Sequence, residues 1–563
     1  MFNALRRSGY LALAAVIVVT SGAVSGASTV QRARLGMPSG ARLEAAVTAG
    51  TSAPGPSTTP IQPVIPCNQL TAVDFTTVQD APTRVMSATV ATINGASYCE
   101  VRGYVSPQVL FDLRLPTSTW TGRYVQEGCG GYCGILQPGP PAVSTNCPAV
   151  TGNQLALGVD DEGHVGSSAF DGLWAANAPE LRVSFGITSE HALAQAAKAI
   201  IAAYYGQRPR YSYFDGCSDG GREALIEAQR YPDDFNGILA GAPANIWADL
   251  NGEFQEWNIL ANTDAHGHPI LTAEVLPALH AAVVAACGNA QGLIPDPRSC
   301  GFDPASIQCH PGQASNSCLT PAQVAAARRI YRGPTLADGR SLYPGGEPYG
   351  SELAWQGWLI DPASDTAWPA DTAAYQIAIN YLKYQAYRAN PPSTFTLADF
   401  HFDRADYERL QQLAGLYDAI DPDLAPFARL GGRIILYHGW ADQAIPPFGT
   451  VGYYAAVVSR AGGFAASQAF SRLYMIPDQY HCLGGGSPQV TADLLTPLMN
   501  WVEKGIAPGA ITLPLTAPTP TLQSITVSPL NPLLPPAGGA RGLNASYNWI
   551  GSFQREPTPS TFS

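Results

Sequence analysis

The chain has 563 residues, 46% of them hydrophobic and only 13% charged, so it can bury a large core and is long enough for more than one domain. Its net charge of −12, pI near 5.2 and lack of a basic stripe exclude the electrostatics of a nucleic-acid binder.

The N-terminus opens with Arg6-Arg7, an apolar stretch from Tyr10 to Val19 and small residues from Ala23 to Ala27, the pattern of a signal peptide over residues 1–27. The arginine pair also allows a twin-arginine route, and either route predicts a secreted protein. Residues 28–66 are rich in Ala, Ser, Thr, Pro and Gly and read as a flexible leader. Past residue 30 no apolar run reaches the roughly 20 residues that a membrane helix needs, so no membrane partner is expected. The 11 cysteines suit an oxidising compartment, and the odd number means that one thiol is left over or pairs outside the chain.

Between Val183 and Ala244 the punctuation is that of an α/β unit. Glu190 to Tyr205 reads as a helix, Tyr211 to Phe214 as a buried strand, Gly220 to Arg230 as a helix, and Gly237 to Pro243 as a strand with its exit loop. Residues 245–425 differ in character, with four cysteines, several tryptophans and many Pro and Gly turns, and read as an inserted lid domain. Arg433 to Gly439 is a second clear buried strand and Leu473 to Ile476 a further candidate. The catalytic domain is thus expected over 67–244 and 426–511, followed by an extended Pro/Thr/Ser-rich tail over 512–563.

Gly216-Cys217-Ser218-Asp219-Gly220 fits G-x-S-x-G and lies between a predicted strand and a predicted helix, the context of a nucleophile elbow. Glycines permit the sharp turn that lifts Ser218 to the end of the sheet; the bland alternative is an ordinary Gly-rich turn. A serine needs a base and an orienting carboxylate, here expected in the order Ser, Asp, His. His481, in the turn-rich Pro477 to Gly486, follows a candidate strand; His438 at the end of another reads equally as structural. Asp442, in the loop after Gly439, is placed to hold His481, while Asp478 reads as a turn former. Ser218 and His481 each have a cysteine beside them, and if Cys217 and Cys482 bond, Cα atoms within about 7 Å bring the two together.

The blocks Tyr204-Tyr205-Gly206, Tyr213 to Arg222, Ala228 to Gly237 and Ala240 to Ala244, together with Gly439-Trp440-Ala441-Asp442 and His481-Cys482, resemble the tannase and feruloyl esterase family from about Cys67 to Lys504. The resemblance implies an α/β-hydrolase core with a large lid inserted between nucleophile and acid. It also implies a Cys217–Cys482 disulfide, and activity on galloyl esters, hydroxycinnamoyl esters or the monoester released from polyethylene terephthalate. It places an oxyanion hole at the N–H of Asp219 and that of Gly131 or Gly130, in Gly128-Cys129-Gly130-Gly131. Many members have threonine after the serine; Asp219 is expected to keep the backbone role and to add negative charge near the entrance.

The resemblance further pairs Cys67 with Cys99, Cys287 with Cys300 and Cys309 with Cys318, and leaves Cys129, Cys133 and Cys147 open. Pairing Cys133 with Cys147 would free Cys129, and the three lack a nearby histidine for a metal site. Family lids commonly hold calcium, but between Cys287 and Arg298 most carboxylates are absent and Asp296 with Asn289 and backbone carbonyls is a thin set, so a weak site or none is expected. No cofactor is required by this reading. The expected protein is a secreted serine carboxylesterase acting through an acyl-enzyme on small or plant-derived aromatic esters, with lid aromatics such as Trp355 and Trp358 as candidate contacts. The alternatives are an esterase for terephthalate-type or aliphatic esters, and a catalytically silent binding protein on the same scaffold.

Overall fold

The computed structural model describes residues 59–139, 143–313, 316–361, 368–544 and 548–554. The expected signal peptide and most of the leader lie outside them. Nine strands form one sheet: β1 (Thr83–Ile93), β2 (Ala96–Val105), β3 (Val109–Pro116), β4 (Arg123–Glu127), β5 (Leu155–Asp160), β6 (Tyr211–Cys217), β7 (Gly237–Gly241), β8 (Arg433–Gly439) and β9 (Ser471–Ile476). The order is β1-β2-β3-β5-β4-β6-β7-β8-β9, antiparallel from β1 to β5 and parallel from β5 to β9.

Local chemistry accounts for both halves. Asn94 and Gly95 both have positive φ, so β1 and β2 close through a two-residue turn that suits strand twist. The parallel strands are covered on both faces, and their side chains alternate between two cores. Phe214, Ile434 and Leu436 join the core under the helices Ser189–Tyr205 and Asp219–Arg230. Tyr213, Ile435 and Tyr437 join the opposite core with the helix Leu495–Lys504.

Between β7 and β8 the chain builds a separate buried cluster that includes Trp247, Phe254, Tyr331, Trp355 and Tyr381. A helical stretch from Trp247 to Ala261 starts it, with one wide π-type turn over Leu250–Phe254. Trp355 is fully buried, its indole N–H donating to the Ser351 hydroxyl at 2.8 Å, and so belongs to this core.

Both chain ends depart from expectation. The end of the supposed leader is fastened down: Ile61 N–H donates to the Trp120 carbonyl at 2.7 Å and Val64 N–H to that of Tyr204 at 2.8 Å. The expected extended tail instead forms a hairpin of β10 (Ile511–Pro514) and β11 (Ser524–Val527). Period-two apolar residues, masked in sequence by the Pro and Thr around them, bury Leu513, Leu515, Ile525 and Val527 against the Leu495–Lys504 side of the sheet. Farther on, Asn544 is buried and bonds the backbone of Tyr331, Glu347 and Tyr349, and Trp549 Nε1 donates to Asp249 Oδ2 at 2.9 Å. Among the described residues no helix is long and apolar enough to cross a membrane.

Truncation after Pro508 removes the four buried hairpin side chains, each worth about 1.5 kcal/mol or more, together with the Asn544 and Trp549 contacts. A drop of several kcal/mol in denaturant-measured stability is expected, and an unchanged midpoint would show that the hairpin does not stabilise the fold.

Candidate active site

Ser218, Asp442 and His481 follow β6, β8 and β9, so all three stand at the carboxyl edge of the parallel sheet, where side chains from separate strands can converge. Ser218 has φ 69° and ψ −121°, a strained conformation held by its surroundings. Its N–H donates to the Gly241 carbonyl at 3.0 Å, and its carbonyl accepts from Gly221, Arg222 and Ala244 at 3.0 to 3.2 Å. The turn needs glycine on both sides: a Cβ on Gly216 would lie 2.2 Å from the Gly220 carbonyl oxygen, and one on Gly220 2.9 Å from that of Cys129.

His481 Nδ1–H donates to Asp442 Oδ2 at 2.8 Å, which leaves Nε2 as the basic nitrogen. Asp442 is fully buried, and burial alone would raise its carboxyl. The charge of His481 and hydrogen bonds from His438 and His481 overcome this and hold it well below the ordinary carboxylate range. His438 Nε2 faces two acceptors, Asp442 Oδ2 at 3.1 Å and the Ile445 carbonyl at 2.9 Å, while Nδ1 faces the Thr450 hydroxyl at 2.8 Å. His438 therefore carries its proton on Nε2 and supports the carboxylate. Asp442 Oδ1 accepts from the N–H groups of Ala444 and Ile445 at 2.8 and 2.9 Å.

The Cys217–Cys482 disulfide, with Cα atoms 5.8 Å apart, joins the residues beside Ser218 and His481. Both side chains line one cavity of about 320 Å³. Its other walls include Gly130, Gly131, Tyr132 and Phe170 from the core, and Trp247, Leu250, Asn251, Gln255, Trp358 and Ile377 from the insert. Sequence reasoning did not single out the insert side chains other than Trp358. The spacing of 247, 250, 251 and 255 along one helical face was the available signal. Gln255 is oriented by a bond to the Ala444 carbonyl at 2.7 Å and by the Trp358 indole N–H at 3.3 Å.

Among the described residues, the N–H groups of Gly128, Cys129, Tyr132 and Cys133 are spent on protein acceptors, whereas those of Gly130, Gly131 and Asp219 have none. The latter three can therefore face a developing oxyanion. The Asp219 side chain corrects an expectation: it is only 1% exposed and pairs with Arg222 one turn later, so its charge is directed away from the entrance. Arg222 in turn lies 4.5 Å from the Phe185 ring and 5.0 Å from that of Trp247.

The remaining cysteines pair as Cys67–Cys99, Cys287–Cys300 and Cys309–Cys318. The open trio resolves differently from a Cys133–Cys147 bond: Cys129 joins Cys133, and Cys147 is a buried free thiol beside Thr496, in the core across the sheet. In the expected calcium loop, Asn289 Oδ1 accepts from the N–H groups of Gln291 and Leu293, and both Asp296 oxygens are held by Arg298. Those donors are spent internally and do not fit a calcium ion, which needs about six to eight oxygens. The same loop is tied to the His481 loop, because Asp478 accepts from Ile294 N–H at 3.0 Å.

An α/β sheet with a serine elbow, a buried aspartate–histidine pair and an apolar cavity at its carboxyl edge defines an α/β-hydrolase esterase. The chain belongs to the tannase and feruloyl esterase family, whose model matches residues 92–526. It is 30% identical over 510 residues to the mono(2-hydroxyethyl) terephthalate hydrolase of Piscinibacter sakaiensis, covering 79% of this chain and 82% of that one. It is 31% identical over 440 residues to a probable feruloyl esterase of Arthroderma benhamiae, covering 73% and 76%. The fold is shared with the crystal structure of feruloyl esterase B from Aspergillus oryzae, at a TM-score of 0.69, 21% identity and coverage of 82% and 96%. The protein is a carboxylic ester hydrolase.

Burial raises the Asp478 carboxyl from 3.8 to about 7, against the pull of the Ile294 N–H. The folded chain thus keeps a proton that the unfolded chain releases near pH 4, and the associated stability, up to about 4 kcal/mol, is lost as pH rises to about 7. Asp478→Asn keeps an acceptor but cannot titrate. Its denaturation midpoint should fall less between pH 4 and 7 than that of the wild type, and equal slopes would refute the assignment.

Proposed function

We propose that the protein is a secreted serine carboxylesterase that hydrolyses neutral aromatic esters through an acyl-enzyme. One observation carries this reading: Ser218 and His481 line a single apolar cavity, with Asp442 buried behind the histidine and a disulfide between the neighbouring residues. His481 Nε2 takes the proton of Ser218 as its oxygen attacks the ester carbonyl. The N–H groups of Asp219 and of Gly130 or Gly131 receive the oxyanion. The alcohol leaves with the proton from His481, and water repeats the sequence on the acyl-enzyme. The insert serves as the lid that supplies the acyl pocket, and export agrees with the N-terminal pattern and five disulfides.

The cavity wall bears on the acyl group. Among its described residues there is no Lys or Arg, and Asn251 and Gln255 are its polar side chains from the insert. The internal segments 140–142, 314–315, 362–367 and 545–547 contain no Lys or Arg either. A carboxylate on the acyl ring would be desolvated without a counter-charge, so a feruloyl or galloyl ester fits better than a terephthalate monoester.

Ser218→Ala is expected to lower kcat/KM for methyl ferulate by at least about 10⁴-fold with an unchanged unfolding midpoint. A serine-directed phosphonate should label the wild type and spare the variant. Wild-type protein that neither turns over aromatic esters nor takes the label would instead be a binding protein on an esterase scaffold.

Cys217 and Cys482 are 265 residues apart, so their bridge constrains the unfolded chain by about 5 to 6 kcal/mol in the chain-entropy account. Replacing both by alanine should lower the melting temperature and, well below it, reduce kcat as the histidine loop loosens. Turnover equal to wild type at low temperature would limit the bridge to a stabilising role.

A further inference from the structure

The loop after β4 poses a mechanical problem. Gly130 and Gly131 line the cavity with N–H groups that have no protein acceptor among the described residues, yet neither glycine has a side chain to hold it. A Cβ on Gly130 would meet nothing within 4 Å, so this residue is packed by nothing on that side. An oxyanion donor must nevertheless stay within about 2.7 to 3.1 Å of a position that the substrate oxygen reaches only in the transition state.

The two flanks of the loop are held separately. On one side the Cys129 carbonyl accepts from Gly220 N–H at 2.8 Å, and Cys129 N–H donates to Glu223 Oε2 at 3.2 Å, both from the helix that begins at the nucleophile elbow. On the other side Tyr132 N–H donates to the Ala169 carbonyl at 2.7 Å, and the Tyr132 hydroxyl to the Ile377 carbonyl of the insert at 2.7 Å. The Cys129–Cys133 bridge, with Cα atoms 5.6 Å apart, joins these flanks and closes a ring around Gly130, Gly131 and Tyr132.

Resting on the serine-esterase reading, we propose that the Cys129–Cys133 bridge is a positioning element of the oxyanion hole: it fixes the two glycine N–H groups against the elbow. The bridge touches no reacting atom and acts through the loop that it closes. Its contribution therefore falls on transition-state binding and leaves ground-state binding almost unchanged.

The test is the double variant Cys129→Ala/Cys133→Ala in the full chain. Its kcat for methyl ferulate should fall about tenfold to a hundredfold, with KM within about twofold. The trifluoromethyl ketone analogue of that ester, whose adduct places an oxyanion in the hole, should bind more weakly by the same factor. Ferulate itself should bind as before. Should the variant fail to fold, graded dithiothreitol treatment of the wild type, with alkylated cysteines mapped by mass spectrometry, gives the second reading. Loss of kcat must then already appear where Cys129 and Cys133 are alkylated and Cys217 and Cys482 are still bridged.

The proposal is overturned if the double variant keeps kcat within about twofold, or if ketone and acid affinities fall together. It is also overturned if Cys129 and Cys133 are found as free thiols in the untreated protein. Their sulfurs and the carboxylates of Glu162 and Glu223 lie within 4.8 Å of one another, so zinc content measured on the same sample would then show whether a metal takes the place of the bridge. A wild type without turnover refutes the esterase reading instead, and the two failures are told apart by that control.

Discussion

The site depends on one backbone-to-backbone contact, where the loop leaving β4 meets the helix that starts at Ser218. β4 and β6 are parallel neighbours in register from Arg123 opposite Tyr211 to Glu127 opposite Asp215, so their exit loops leave the sheet side by side. Gly128 N–H extends that ladder to the Asp215 carbonyl at 3.1 Å, and Gly220 N–H meets the Cys129 carbonyl at 2.8 Å. A Cβ on Gly128 would lie 2.6 Å from the Gly220 Cα and would wedge the two segments apart. Ser218 and the candidate oxyanion donors are thus placed by absent side chains. The strain at Ser218, of order 1 to 3 kcal/mol, is borne by the hydrogen bonds around it.

Around this contact the molecule keeps two kinds of buried charge apart. Asp442 stays ionised because two histidines and two backbone N–H groups converge on it. His438 and His481 share one carboxylate oxygen but differ in exposure: His438 is sealed in the core, whereas the His481 side chain is 17% exposed. One can therefore only hold the carboxylate, while the other can reach a substrate. Burial pushes the carboxyls of Asp478 and Asp215 up to about 7, so buried acids of the same fold ionise in different pH ranges.

The parallel core was legible because strands covered on both faces are written as unbroken apolar runs, as in Arg433 to Gly439, where the expected and observed boundaries coincide. Ser218, Asp442 and His481 were legible because each follows such a run. The antiparallel strands β1 to β3 were not assigned, since their half-exposed alternation is a weaker signal. The cavity wall from Trp247 to Gln255 escaped because the faces of a helix are chosen by its packing partners. The pairing of Cys129, Cys133 and Cys147 stayed open in the sequence, and the loop path between β4 and β5 joins Cys129 to Cys133. Asp219 misled through its place beside the nucleophile, because its charge is governed by Arg222 one turn along the helix.

The C-terminal contacts bear on how the molecule is made. Asp249 opens the insert, and its partner Trp549 is synthesised 300 residues later, a delay of about 15 to 60 s at ordinary elongation rates. Through that interval the insert lacks the indole and the Asn544 amide that fasten it. His481 also emerges only shortly before them. A nascent chain therefore carries Ser218 long before it carries His481, and the contacts of Asn544 and Trp549 that fasten the insert form later still.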